Sequence, residues 1–288
     1  MSAIAIRPTS LLDAARDLWR EMRRDAPGHA LMGAALLALA VPTAALFALD
    51  ARAIDARAID GVNIWTKPFK FQVSLGVFSL TLAFVARWAG RQVVARRWWK
   101  PFTAAVLVSI ALEMVWLMSS AALGERAHFN QTHPILAPTY FVMGLLATIL
   151  TAATAQYAFA IHRNVATGLT PAVKAGLVWG LGLTLPLTLL TAFALSVGAG
   201  HHFTGDGLGV GGSDANGAFP FGWSREGGDG RVPHFLGTHA MHAVPLAALA
   251  FSVLGWRGAW AGRLAALGWT AMTLAAFALT LAGYSLVF

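Results

Sequence analysis

The clearest chemical pattern in this sequence is a pair of histidines, His239 and His242, in an otherwise apolar stretch. Residues three apart lie on the same face of a helix, so both imidazoles can reach one metal ion or one substrate. Pro245 follows them and predicts a kink beside the pair. The other candidate metal ligands near the same predicted membrane face are His128, His201, His202 and His234. The alternative is that these imidazoles only hydrogen-bond to neighbouring helices.

A single carboxylic acid, Glu113, interrupts a second apolar run. A bare carboxylate is very unfavourable in lipid, so Glu113 must be protonated or paired. Ser109 and Ser120 share its predicted helix face. We expect Glu113 to serve as a metal ligand, a general base or a proton-relay carboxyl. The alternative is a neutral acid that bonds to a helix backbone.

The short turn over residues 124–134 is dense in polar side chains between two apolar segments. Glu125 is a further candidate catalytic residue, and with Arg126 it could orient His128. A plain solvated loop is the alternative.

Several cations are candidate substrate-binding residues. Lys67 and Lys70 lie one helical turn apart at the start of an apolar span, where they could hold a lipid phosphate or an anionic substrate. Arg126 and Arg231 belong to the same predicted face. Lysines that only anchor the helix at the lipid headgroups are the alternative.

The elements that must position these residues are membrane-spanning helices. Of the 288 residues, 57% are hydrophobic and 12% are charged, whereas about a quarter of a soluble chain is charged. Runs of about twenty apolar residues suit a bilayer core. We predict an all-α integral membrane bundle of seven transmembrane helices, near residues 28–49, 69–86, 102–124, 135–161, 175–199, 236–254 and 264–287. The sequence contains no cysteine, which excludes disulfides.

The distribution of basic residues predicts the orientation of the bundle. If the start of the chain is cytoplasmic, fourteen Lys and Arg residues lie inside and seven outside, as the positive-inside rule requires. The end of the chain is then periplasmic. The net charge of +8 is explained by the anionic inner leaflet, and we expect no nucleic-acid binding. We therefore predict a multi-pass protein of the bacterial inner (plasma) membrane.

The chain divides into a cytoplasmic amphipathic helix over residues 1–27 and a seven-helix transmembrane domain over residues 28–288. Ser10 and Asp13 form a capping-box-like start for the first helix, which we expect to lie along the inner leaflet. Within the larger domain, a glycine-rich outer loop at 200–233 is a predicted lid. An exact five-residue repeat fills residues 50–60 without an assigned role.

These features predict a membrane-embedded metalloprotein with an outward-facing His/Glu pocket. Its cofactor would be a metal ion (zinc, iron or copper) or haem, and it would act as an oxidoreductase or hydrolase on a lipid- or quinone-like substrate. The main alternative is a transporter or proton-coupled channel that uses Glu113 as its intramembrane carboxyl. Further alternatives are a haem-bearing electron carrier and a structural or sensory subunit. Walker A and nucleophile-elbow motifs do not occur.

Overall fold

The computed structural model describes residues 10–50, 58–59, 62–128, 130, 133–197, 200–205, 217–218 and 221–287. Its helices are α1 (Leu11–Asp25), α2 (Pro27–Asp50), α3 (Thr66–Val85), α4 (Arg91–Val94), α5 (Trp99–Ala122), α6 (Leu136–Arg163), α7 (Pro171–Val197), α8 (Arg231–Thr238), α9 (Ala240–Val253) and α10 (Ala259–Leu281). Two short antiparallel pairs join β1 (Ala58–Ile59) to β2 (Val62–Asn63) and β3 (His202–Phe203) to β4 (Gly228–Asp229).

The chain is a multi-pass all-α membrane bundle. Within the described residues, six helices are long and apolar enough to cross a bilayer, and α8 with α9 makes a seventh span that is bent by 56°. Large apolar side chains such as Phe141 and Val253 lie exposed on the outside of the bundle, where lipid replaces water. The last span begins and ends earlier than expected, at Ala259 and Leu281.

Small residues let the helices approach closely. Gly33 of α2 faces Gly76 of α3, and a β-carbon on Gly33 would lie 2.9 Å from the carbonyl oxygen of Gly76. On the other side of the bundle, Gly180 of α7 lies against α9. Helix α7 packs against α6 on one side and against α9 and α10 on the other. Close backbone contact of this kind is what holds helices together in lipid, because lipid tails are as apolar as the side chains.

Helix α1 is amphipathic, as predicted, and begins at the predicted cap. The Ser10 hydroxyl oxygen accepts the backbone N–H of Asp13 at 3.2 Å and donates to its carboxylate at 2.8 Å. The last turns of α1 pack on the bundle through Met22, and Glu21 pairs with Arg87 at 3.0 Å. The described residues of the 124–134 connection and the 221–230 connection lie at the opposite end, which the charge distribution predicts to be the outer one.

Candidate functional site

Glu113 lies inside the bundle on α5. The helix continues nine residues beyond it, so its Cα lies about 14 Å from the outer end of α5. The residue is 3% exposed, and its Oε2 atom has no hydrogen-bond partner among the described residues. Ser109 and Ser120 do not satisfy it, because each hydroxyl donates to a carbonyl of its own helix at 2.8 Å. Glu113 is therefore a buried acid whose partner is electrostatic.

That electrostatic partner is Lys67, from the first turn of α3. Lys67 acts also on His128 of the 124–134 connection, and His128 in turn interacts with His234 of α8. His234 and His242 each interact with His239. One electrostatically connected group thus runs from α5 to α9. We call it the titratable array, and its members are Lys67, Glu113, His128, His234, His239 and His242.

Aromatic rings surround the part of the array nearest to Glu113. The ring of His128 lies 5.2 Å from Trp116, 5.5 Å from Tyr140 and 6.1 Å from Phe71, between ring centroids. Trp116 and Tyr140 are stacked at 6.3 Å, and Glu113 interacts electrostatically with Tyr140. We call these four rings, Phe71, Trp116, His128 and Tyr140, the aromatic box.

Two nitrogen atoms of the aromatic box are buried without a partner. Within the described part of the chain, neither Nε1 of Trp116 nor Nδ1 of His128 has a hydrogen-bond partner. Burial lowers the pKa of His128 well below its ordinary value, and the charges of Lys67 and His234 lower it further. His128 is therefore neutral near pH 7. A buried donor without an acceptor costs about 1–3 kcal/mol, so these nitrogens indicate a place where a ligand or water belongs.

The three histidines of α8 and α9 are oriented by hydrogen bonds. The Phe235 carbonyl oxygen accepts from Nδ1 of His239 at 2.9 Å, which leaves Nε2 as the lone-pair nitrogen of the neutral ring. Thr81 donates its hydroxyl to its own helix at 2.8 Å, so its oxygen accepts from Nε2 of His242 at 2.9 Å. Thr191 is arranged in the same way and accepts from Nδ1 of His234 at 3.1 Å.

The bend in the seventh span falls at His239. Its backbone (φ −92°, ψ 2°) separates α8 from α9, so the break comes six residues before Pro245. The rings of His239 and His242 lie 5.5 Å apart and are tilted by 51°. A kink is therefore present beside the histidine pair, but it lies at His239 and not next to Pro245, from which it was predicted.

Lys70 and Arg231, predicted to bind substrate, hold the outer loop. Lys70 Nζ donates to the Phe221 carbonyl oxygen at 2.8 Å, and Arg231 donates to that of Gly222 at 2.7 Å. Arg231 also pairs with Asp229 at 2.6 Å. Burial alone would raise the pKa of Asp229, but hydrogen bonds and charge from Arg231, with backbone N–H groups of Ser224 and Arg231, lower it overall.

Other predicted site residues have local roles. Asn130 donates to Glu125 at 3.0 Å and to the Arg126 carbonyl oxygen at 3.1 Å, so this polar turn is bonded within itself. His201 and His202 lie at the β3–β4 pair, with ring centroids 4.2 Å apart. Most of the repeat at 50–60 and the loop centre at 206–216 lie outside the described residues.

Nδ1 of His133, in the 124–134 connection, accepts the N–H groups of Ile135 and Leu136 at 3.2 Å each. It thus helps to begin α6.

The described residues contain no group of three or more His, Asp or Glu side chains that could hold a metal ion. His239 and His242 have one ring nitrogen each in a protein hydrogen bond, and no third ligand of the described chain joins them. The predicted metal-binding cluster is therefore not supported.

Sequence reasoning missed the residues that complete the site. Trp116 lies one turn beyond Glu113, so the sequence could have predicted that both side chains share one helix face. Tyr140, Phe71 and Thr81 gave no such signal, because their contacts join helices that are distant in the sequence: Thr81 and His242 are 161 residues apart.

Comparison with family models, with curated proteins and with solved structures gives no match for this chain. The fold and the site by themselves define the class: a multi-pass helical membrane protein with a buried carboxylic acid, a lysine and a series of histidines in its interior.

Proposed function

We propose that this chain is a proton-coupled membrane transport protein in which Glu113 binds and releases the proton. The observation that carries the proposal is the state of Glu113: 3% exposed, without a hydrogen bond at Oε2, and electrostatically paired with Lys67. A carboxyl group in this position is costly to the fold. A purely structural acid would be expected to use both oxygens in hydrogen bonds.

The remainder of the titratable array supports the same function. Interacting histidines extend from Glu113 towards the outer loop, and imidazoles are the side chains best suited to pass protons near neutral pH. The oriented ring nitrogens of His234, His239 and His242 keep one donor and one acceptor on each neutral ring.

The test is proton movement in reconstituted vesicles that contain an internal pH-sensitive dye. A pH gradient and a membrane potential are imposed, with and without a panel of small charged solutes that do not cross a bilayer unaided. We expect the wild-type protein to move protons faster than protein-free vesicles do, and Glu113→Gln to reduce this rate to the protein-free level.

Glu125→Gln is the matched control, because it makes the same chemical change at a residue of the outer turn and should leave the rate unchanged. Thermal unfolding of both variants checks that they are folded. The proposal fails if the wild-type protein is silent with every solute and gradient, or if folded Glu113→Gln keeps the wild-type rate.

A metal- or haem-dependent enzyme is the second candidate, favoured by one observation. Because Nδ1 of His239 donates to Phe235, its Nε2 carries the lone pair that a metal ion would need. Elemental analysis and the absorption spectrum of the purified protein test this candidate. A stoichiometric metal or a Soret band that disappears in His239→Ala would favour it over transport, and absence of both would exclude it.

A further inference from the structure

The aromatic box and the titratable array meet at one position, where Lys67 acts on both Glu113 and His128. Near that position, buried nitrogens of Trp116 and His128 have no hydrogen-bond partner among the described residues. The indole N–H of Trp116 can only donate, the residue is 7% exposed, and its ring lies 5.2 Å from that of His128. A cation that acts on His128 and a buried donor that packs against His128 indicate an anionic or oxygen-rich ligand rather than a cationic one.

The charge balance at the outer end points in the same direction. Asp229 and Arg231 neutralise each other through their 2.6 Å bond, and Lys70 donates to the Phe221 carbonyl oxygen of the loop. Lys67 is the cation that acts on Glu113 and on His128. The aromatic rings of the box supply apolar surface beside the charge, which suits the hydrocarbon part of an organic anion.

We propose that the site between α3 and α5 binds a small organic carboxylate, held by Lys67 and the Trp116 indole N–H, with its apolar part in the aromatic box. Binding is coupled to uptake of one proton by Glu113. This inference rests on the proposed function of Glu113 as the proton-binding group, and it names the class of solute.

Binding and proton uptake are coupled because Lys67 would interact with two anions, Glu113 and the bound carboxylate. While the site is empty, the Lys67 ammonium stabilises the ionised form of Glu113. An arriving carboxylate takes up that positive charge and brings a second negative charge close to Glu113, which then binds a proton at Oε2. One negative charge and one proton enter together, so the net charge of the site is unchanged.

The other groups on the elements around α5 do not replace Lys67. Tyr140 of α6 faces Glu113 but is neutral in its ordinary form. Of the titratable residues of α2, His29 lies against Tyr157 at 5.8 Å and Asp50 accepts from Asn63 at 3.1 Å. Lys67 is thus the cation whose charge both Glu113 and a ligand would share.

The test compares three probes of one shape and different charge: benzoate, benzamide and benzamidinium. Each is titrated into the full-length protein in detergent at pH 8 by calorimetry, in two buffers with different ionisation enthalpies. We expect benzoate to bind at least about tenfold more tightly than benzamide, as loss of a charge-assisted hydrogen bond implies. The buffer dependence should report close to one proton taken up per benzoate.

Variants separate the two halves of the proposal. Lys67→Met should weaken benzoate binding by about tenfold or more, and Trp116→Phe, which keeps an aromatic ring, should weaken it by a similar factor. Glu113→Gln should keep benzoate binding but lose proton uptake. Lys70→Met is the matched control: it removes the same charge one turn away and should change benzoate affinity by less than about threefold. Thermal unfolding checks each variant.

The inference is overturned if benzamidinium binds most tightly, if all three probes bind equally, if none binds, or if benzoate binding takes up no proton. Its failure is distinguishable from failure of the proposed function. If the protein moves protons in vesicles but does not bind benzoate, only the inference that the solute is a carboxylate is wrong. If the protein binds benzoate with proton uptake but moves no protons in vesicles, the carboxylate site is supported and the proposed transport function is wrong.

Discussion

Replacement of Gly180 by alanine should destabilise the bundle at the helix contact that supports the histidines. A β-carbon at this position of α7 would lie 2.8 Å from the carbonyl oxygen of Ala240 and 2.8 Å from Cδ of Pro245. Ordinary contacts between heavy atoms lie near 3.5–4.0 Å. One of these atoms belongs to the backbone and the other to a fixed ring, so neither can rotate away and α9 must shift as a whole.

The expected size of the effect follows from two opposing quantities. Overpacking costs about 1–3 kcal/mol, whereas alanine in a helix interior gains about 1 kcal/mol over glycine. Gly180→Ala should therefore lower the free energy of unfolding by up to about 2 kcal/mol. Gly182→Ala, in the same helix, is the matched control, because its β-carbon would lie an ordinary 3.8 Å from that of Ala158. This control should raise the free energy of unfolding by up to about 1 kcal/mol.

Unfolding by SDS in mixed micelles, followed by tryptophan fluorescence, measures both variants. The reasoning is refuted if Gly180→Ala is as stable as Gly182→Ala or more stable, since the close approach of α7 to α9 would then not exist.

Three further perturbations have defined outcomes. The pKa of Asp229 is lower in the folded chain than its ordinary value of 3.8. Ionised Asp229 therefore stabilises the fold above pH 3.8, and this contribution to the free energy of unfolding is lost as the pH falls through the lowered pKa. In Asp229→Asn, the free energy of unfolding should depend less on pH below 3.8 than it does in the wild type. Thr81→Val should cost about 1–3 kcal/mol by leaving the His242 N–H without an acceptor, whereas Thr81→Ser should be near wild type in SDS unfolding. Lys70→Met should speed limited proteolysis of the 221–230 connection about threefold or more by removing a charge-assisted bond, and an unchanged cleavage rate would show that this bond does not hold the loop.

The helical bundle could be predicted from the sequence because lipid imposes a simple requirement. Every span must satisfy its own backbone, so a run of about twenty apolar residues has few options other than a helix. The position of the break in the seventh span was harder to predict. The span was expected to bend near Pro245, but the helix ends at Thr238 and restarts at Ala240, where the contact of Gly180 with the Ala240 carbonyl group supports the displaced backbone.

The sequence singled out some residues of the site but not their partners. Glu113 was selected by the cost of a charge in lipid and Lys67 by its spacing from Lys70 at the start of a span, yet nothing in a linear sequence places Glu113 near Lys67. Lys70 and Arg231 were expected to bind substrate because they are cations on the outer face. In the structure both donate to backbone carbonyl groups of the 221–230 connection, and residue types alone do not predict where a loop carbonyl group lies.

The separate roles of Lys67 and Lys70 explain how one helical turn can serve both the loop and the interior. Lys70 holds the carbonyl group of Phe221, whose ring packs on Trp223 at 4.5 Å and on Phe235 at 5.1 Å. Phe235 stacks on His239 at 3.8 Å, so the loop and the outer end of the titratable array form one packed unit. Lys67, one turn earlier, acts on Glu113 and on His128. A change in the loop should therefore reach the interior through His239 and leave the interaction of Lys67 with Glu113 intact, so that mutations in the loop and mutations at Glu113 should have separable effects.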